Sequence, residues 1–156
     1  MKALRFLMCL VLVSSLSGHC FSQDNQENTL DGLRALLKSR SIAKVQLLRI
    51  PDDVMTSSAV TPETLRVGAI YSVIYTQEIT LTFDPLLSGL TSKNESHPSD
   101  LRWGVLFFDV SGREVGSLFT DRYGQFGYFD GESVAFGNRS GGNLAKRLHT
   151  IIANLR

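Results

Sequence analysis

The chain has 156 residues, of which 43% are hydrophobic and 20% charged, and its formal net charge is +1. This length is enough for one domain, and the composition excludes a disordered chain. The nearly neutral charge, without a run of like charges, argues against the basic surface that general nucleic-acid binding requires.

Residues 1–22 have the three parts of a secretory signal peptide. Lys2 and Arg5 form a basic head, an unbroken apolar run follows from Phe6 to Val13, and the first acidic residue is Asp24. The run is shorter than the ~18–20 apolar residues that a membrane-spanning helix needs. A buried first helix is the alternative, but it would show polar positions at helical spacing. The sequence therefore predicts an exported protein, in the periplasm or outside the cell, without a membrane span.

Signal peptidase prefers small side chains one and three residues before the cut. Cys20 and Ser22 fit this rule and predict a mature chain that begins at Gln23. A cut directly after Cys20, using Gly18, is the near alternative. A lipoprotein with a lipidated Cys20 is a third, and His19 argues against it because it stands where the lipobox requires the cysteine.

Cleavage before Gln23 leaves residues 23–156, which we predict to be a single α+β domain. Both cysteines of the chain, Cys9 and Cys20, precede this cut, so the mature domain has no disulfide. A domain of this size folds on its core alone, and such a chain suits a bacterial periplasm or cell surface. Two Asn-x-Ser triplets, at Asn94 and Asn138, are close to chance and are weak evidence for glycosylation.

The first part of the domain is predicted to alternate short helices and strands. Leucines from Leu30 to Leu37 repeat at helical spacing after a capping Asn28 or Thr29, and residues 43–50 alternate as in a strand. Thr61-Pro62-Glu63 is a strong helix start, with a capping hydroxyl, a proline and an acid. The next elements are a strand at 71–76, a β-prone piece at 79–83, a short helix from Asp84-Pro85 to about Leu90, and a flexible loop at 92–100.

Residues 101–136 predict an antiparallel meander, so that the whole sheet has about four to six strands. Residues 101–110 are apolar on both faces, which is typical of a central strand. Tight turns at Ser111-Gly112 and Asp130-Gly131 join successive strands, and antiparallel pairing follows because parallel strands need long crossovers. Asn143 caps a final amphipathic helix, whose apolar stripe should pack on one face of the sheet.

The catalytic and cofactor motifs in the chain are incomplete, so we predict no cofactor and no metal. Gly131-Glu132-Ser133-Val134-Ala135 lacks the final glycine of a nucleophile elbow. The glycine-rich segment 137–142 joins a strand to a helix, where anions can bind, but it matches neither phosphate-binding pattern. His97 and His149 share no metal-ligand spacing.

A small cell-envelope hydrolase is the alternative function to a binding role. It would use Asp121 or Asp130 together with His149, and it requires these side chains to meet in one cleft. Acids at turns, such as Asp109, usually bond their own backbone instead. We therefore predict that the protein is not an enzyme.

Aromatic residues crowd the segment 121–130 and carry the functional prediction. Strand alternation places Phe126 and Tyr128 on one face and Phe129 on the other. If helices cover only one face, some rings face solvent or a partner. Because Tyr and Arg are enriched at the centres of interfaces, Arg122, Tyr123 and Tyr128 are predicted to bind a macromolecular partner.

Overall fold

A computed structural model describes residues 29–96, 100–138 and 143–154, so the predicted signal peptide and residues 139–142 of the glycine-rich segment 137–142 lie outside the described residues. The described parts contain four helices and seven strands. In chain order these are α1 (Leu30–Lys38), β1 (Ile42–Arg49), α2 (Pro62–Gly68), β2 (Tyr71–Tyr75), α3 (Ile79–Leu87), β3 (Leu90–Asn94), β4 (Leu101–Asp109), β5 (Glu114–Asp121), β6 (Phe126–Phe129), β7 (Glu132–Asn138) and α4 (Leu144–Ala153).

The strands form one sheet in the order β2-β1-β4-β5-β6-β7-β3, and every neighbouring pair is antiparallel. The α+β class and the meander from β4 to β7 are thereby confirmed. Strand β4 lies between β1 and β5, as its two apolar faces predicted. The prediction of four to six strands was too low, because the sheet has seven.

Three helix starts follow the capping residues in the sequence. Thr61 and Thr64 form a reciprocal capping box at α2, with Pro62 in the first turn. The Thr29 hydroxyl accepts a hydrogen bond from the N–H of Gly32 at α1, and Asn143 caps α4 in the same manner.

The predicted break between a β-prone piece at 79–83 and a helix from Asp84-Pro85 is wrong. Residues 79–87 form one helix, α3, with Pro85 inside it. Its buried residues are Ile79, Phe83, Leu86 and Leu87, which lie on one helical face. Burial of this stripe outweighs the local β propensity, which is a weak preference compared with tertiary packing.

The predicted flexible loop at 92–100 is also wrong at its beginning. Residues 90–94 form the edge strand β3, and Ser92 lies opposite Phe136 of β7. The Ser133 hydroxyl continues this contact by donating a hydrogen bond to the Glu95 carbonyl, with 2.9 Å between the oxygen atoms. The partner strand is about forty residues away in the chain, so no local pattern reveals the pairing.

One face of the sheet is covered by α1, α3 and α4, as predicted for the last helix. Leu148 of α4 and Phe83 of α3 are completely buried there, together with Trp103 and Phe107 of β4. The Phe83 ring meets the Phe107 ring edge-on, with 6.0 Å between the centroids. This face therefore holds the larger hydrophobic core.

The opposite face is covered by α2 and by the loop that follows β1. A smaller core forms there around Leu65 of α2, Leu48, Leu106 and Phe119. The Tyr128 ring is half-buried at its margin. Tyr128 is the predicted binding residue that lies on this face.

Candidate functional site

A buried ion pair fixes the loop between β1 and α2 to the sheet. Arg102 is only 4% exposed, and its Nε donates to Oδ2 of Asp100 at 3.0 Å while its Nη1 donates to the Val54 carbonyl at 2.9 Å. Oδ1 of Asp100 accepts from the N–H of Val60 at 3.0 Å. The loop is thus held from both sides by charged hydrogen bonds, which are stronger than neutral ones.

Burial would raise the pKa of Asp100, but the hydrogen bond from Val60 and the Arg102 guanidinium outweigh it. The pKa of this carboxyl is therefore below its ordinary value. Arg122 adds a weaker attraction, with its Nη2 3.9 Å from Oδ2 of Asp100. Asp100 is consequently ionised at neutral pH and keeps both guanidinium groups nearby.

The turn between β5 and β6 is equally well supported. Oδ1 of Asp121 accepts hydrogen bonds from the N–H groups of Tyr123, at 3.2 Å, and Gln125, at 2.9 Å. Gly124 has a φ of +68°, and a Cβ at this position would lie 2.5 Å from the backbone nitrogen of Ala145. Only glycine fits this contact, which seats the turn against the start of α4.

The Asp100–Arg102 ion pair and the turn at Asp121 hold the two segments that carry Met55, Arg122 and Tyr123. We call these three residues the Met55–Tyr123 surface. Met55 is 96% exposed and lines an open cleft of ≈ 490 Å³ together with Arg122 and Arg102. The Arg122 guanidinium carbon lies 6.0 Å from the centroid of the Tyr123 ring, which is 59% exposed. Arg122 therefore lines the cleft and also lies beside the exposed Tyr123 ring.

The third predicted binding residue, Tyr128, lies elsewhere. It lines a smaller cleft of ≈ 280 Å³ with α2 residues and Phe119, and its ring packs against the core of the α2 face. The structure thus brings Arg122 and Tyr123 together and assigns Tyr128 to a different cleft. Alternation along β6 indicated its face correctly, but the packing of α2 over that face was invisible in the sequence.

The residues of the alternative hydrolase lie in different surroundings. His149 of α4 stacks edge-on against Trp103, with 4.6 Å between ring centroids; burial and the charge of Arg49 lower its pKa, and Asp52 partly opposes this. Asp130 accepts from the N–H of Ser117 at 2.6 Å on β5. Burial raises the pKa of Asp130, and its Oδ2 is buried without a hydrogen-bond partner among the described residues.

Asp109 and Asp121 are the last residues of β4 and β5, and each begins a turn. Asp121 and Asp109 bond the N–H groups of their own turns, as expected for acids in turns. His97 lies outside the described residues. Within the described parts of the chain, no group of three or more His, Cys, Asp or Glu side chains has a metal-binding arrangement. No helix among the described residues is long and apolar enough to cross a bilayer.

One wide cleft of the structure was not predicted from the sequence. It has a volume of ≈ 870 Å³ and lies between the end of β2, α3 and α4. We call it the Arg147 cleft, since Arg147 of α4 lines it without an ion-pair partner among the described residues. The sequence pattern predicted that the apolar stripe of α4 packs on the sheet, and it indicated no role for Lys146 or Arg147.

Comparisons with protein-family models, with curated proteins and with solved structures find no match to this chain.

Proposed function

We propose that this protein is a non-catalytic exported protein that binds another macromolecule of the cell envelope or its surroundings through the Met55–Tyr123 surface. One observation carries the proposal. An exposed methionine, an arginine and an exposed tyrosine adjoin one another on two segments that hydrogen bonds hold in place.

Residue chemistry supports a protein partner. Methionine, arginine and tyrosine are enriched at the centres of interfaces, where each offers a large contact area. Met55 is 96% exposed, and its flexible thioether side chain can adapt to the shape of a partner. The rigid support lowers the entropy that ordering would cost on binding.

The dispersed acids support the non-catalytic part of the proposal. Asp121 serves its own turn, Asp130 bonds β5, and His149 lies against Trp103. A general acid and base must reach the same substrate atoms within hydrogen-bonding distance. These three groups have separate structural partners, so each has a role that needs no substrate.

The binding proposal is tested by capture from cell-envelope extract, followed by reconstitution with the purified partner. We expect one protein to be retained by the wild type, and Tyr123→Ala and Met55→Ser each to weaken its affinity about tenfold or more. Val110→Ser is the control, because Val110 is an apolar residue that is 86% exposed in the turn after β4 and lies outside this surface. Retention of no partner, or equal losses in all three variants, would overturn the proposal.

The export part rests on residues 1–22 and has its own test. We propose cleavage before Gln23, which intact-mass measurement of protein from the periplasm or medium should reveal. A mass that includes residues 1–22 would contradict export with cleavage. A diacylglyceryl group on Cys20 would instead establish the lipoprotein.

A further inference from the structure

The Arg147 cleft combines a charged side chain with apolar walls. Its lining includes Ile74, Leu81, Leu86 and Ile151, and Tyr75 lies among them. Its volume of ≈ 870 Å³ is within the range of small-molecule sites, which is roughly 300–1,000 Å³. Leu81, at 74% exposure, offers an apolar side chain to solvent on α3.

Arg147 is a half-buried cation that has no ion-pair partner in the part of the chain that the structure describes. Its Nη1 is shielded from solvent and has no hydrogen-bond acceptor among the described residues. Burial lowers its pKa, and no neighbouring acid contributes to its titration. Glu78 lines the same cleft but forms no ion pair with Arg147. Arg147 as a whole is half-buried, but a shielded N–H donor without an acceptor carries a desolvation cost, which a ligand that accepts a hydrogen bond from Nη1 would offset.

Two other polar groups of the cleft carry no charge and form hydrogen bonds of their own. The Tyr75 hydroxyl donates to the Ile151 carbonyl at 3.4 Å, and burial raises the pKa of Tyr75 to about 12, so it stays protonated. The Thr150 hydroxyl bonds the Lys146 carbonyl of its own helix. Arg147 is thus a cation of the cleft that has no ion-pair partner among the described residues.

We propose that the Arg147 cleft binds a small amphipathic carboxylate, with the carboxylate at Arg147 and the apolar body along Leu81, Ile74 and Leu86. The guanidinium fork matches a carboxylate in shape and charge, which a lysine would not do as well. The apolar walls then exclude water from the pair and strengthen it. This site is separate from the Met55–Tyr123 surface and does not depend on it.

Calorimetric titration of the protein with dodecanoate, below its micelle concentration, tests the proposal. We expect saturable binding, weakened about tenfold or more by Arg147→Gln, because a charge-assisted hydrogen bond is lost. Lys146→Gln is the matched control: it removes one positive charge from the neighbouring exposed position of α4, and we expect it to bind as the wild type does.

Two further measurements keep the test decisive. Dodecyltrimethylammonium has the same tail and the opposite charge, so Arg147→Gln should not weaken whatever binding it shows. Leu81→Ser changes an exposed residue, so it should fold normally and still weaken dodecanoate. No binding of dodecanoate to the wild type, or equal weakening by Arg147→Gln and Lys146→Gln, would overturn the proposal.

Discussion

The two faces of the sheet are closed in different ways. On the face of α1, α3 and α4, buried apolar side chains from three helices interlock, and the Phe83 ring meets both Tyr75 and Phe107 edge-on. On the α2 face, one helix of seven residues and a loop cover a smaller core. Charged groups, above all Asp100 and Arg102, hold that cover in place.

The two faces therefore differ in how much they stabilise the fold and in how they position exposed side chains. Apolar burial stabilises in proportion to the area removed from water, so the three-helix face should contribute most of the stability. The α2 face uses directional hydrogen bonds instead, which fix geometry with a modest net contribution. Arg122 and Met55 then emerge beside that polar network, where their positions are set without a large core beneath them.

The largest expected effect lies on the three-helix face. Leu148→Ala should lower the free energy of unfolding by ~2–5 kcal/mol, because Leu148 is completely buried between α4 and the sheet. Urea denaturation followed by circular dichroism measures this. A loss below ~0.5 kcal/mol would mean that α4 contributes little to the core.

The matching substitution on the α2 face is Leu65→Ala. Leu65 is also fully buried, but α2 is short and borders an open cleft, so its neighbours can relax into the space. We expect a loss near the lower end of the range, about 2–3 kcal/mol, in the same urea experiment. A loss larger than that of Leu148→Ala would reverse the ranking of the two faces.

Two tyrosines of the segment 121–130 extend the comparison to single side chains. Tyr128→Ala removes a half-buried ring from the core margin and should lower stability by about 1–2 kcal/mol. Tyr123→Ala removes an exposed ring and should change it by less than ~0.5 kcal/mol. Thermal melting of both variants decides this. Equal losses would show that Tyr123 also packs as core.

A modest effect is expected from the polar network on the α2 face. Asp100→Asn should lower stability at pH 7 by about 1 kcal/mol, since the charged hydrogen bonds are weakened and partial exposure screens them. The folded-state pKa of Asp100 is depressed, so its contribution is complete above the ordinary value and disappears as pH falls through the folded value.

Denaturation at several pH values measures this dependence. We expect the difference between the wild type and Asp100→Asn to be constant near neutrality and to shrink below about pH 4. Leu65→Ala is the control, because an apolar truncation adds no titrating group. A difference that is independent of pH would show that the ion pair is unimportant for the loop.

Several features of this fold follow from the sequence by itself. The helix starts at Thr61-Pro62 and at Asn143 can be predicted, because capping is a local interaction within four residues. The meander from β4 to β7 follows from short turns, since a chain that reverses tightly must pair with the strand it has just left. Periodicity therefore yielded the α+β class, the central position of β4 and the packing of α4.

Tertiary structure alone decided the rest. Segment 79–87 became helical because burial of Phe83 and Leu86 against distant elements outweighs local β propensity. Strand β3 exists because β7 offers an edge about forty residues further along the chain.

The candidate sites also depend on tertiary packing. Met55 and Arg122 belong to segments nearly seventy residues apart, and Arg147 lines a cleft with β2 and α3. Sequence patterns report which side chains share a face of one element. Which elements then meet depends on packing between segments that have no local relation, and that packing created both the Met55–Tyr123 surface and the Arg147 cleft.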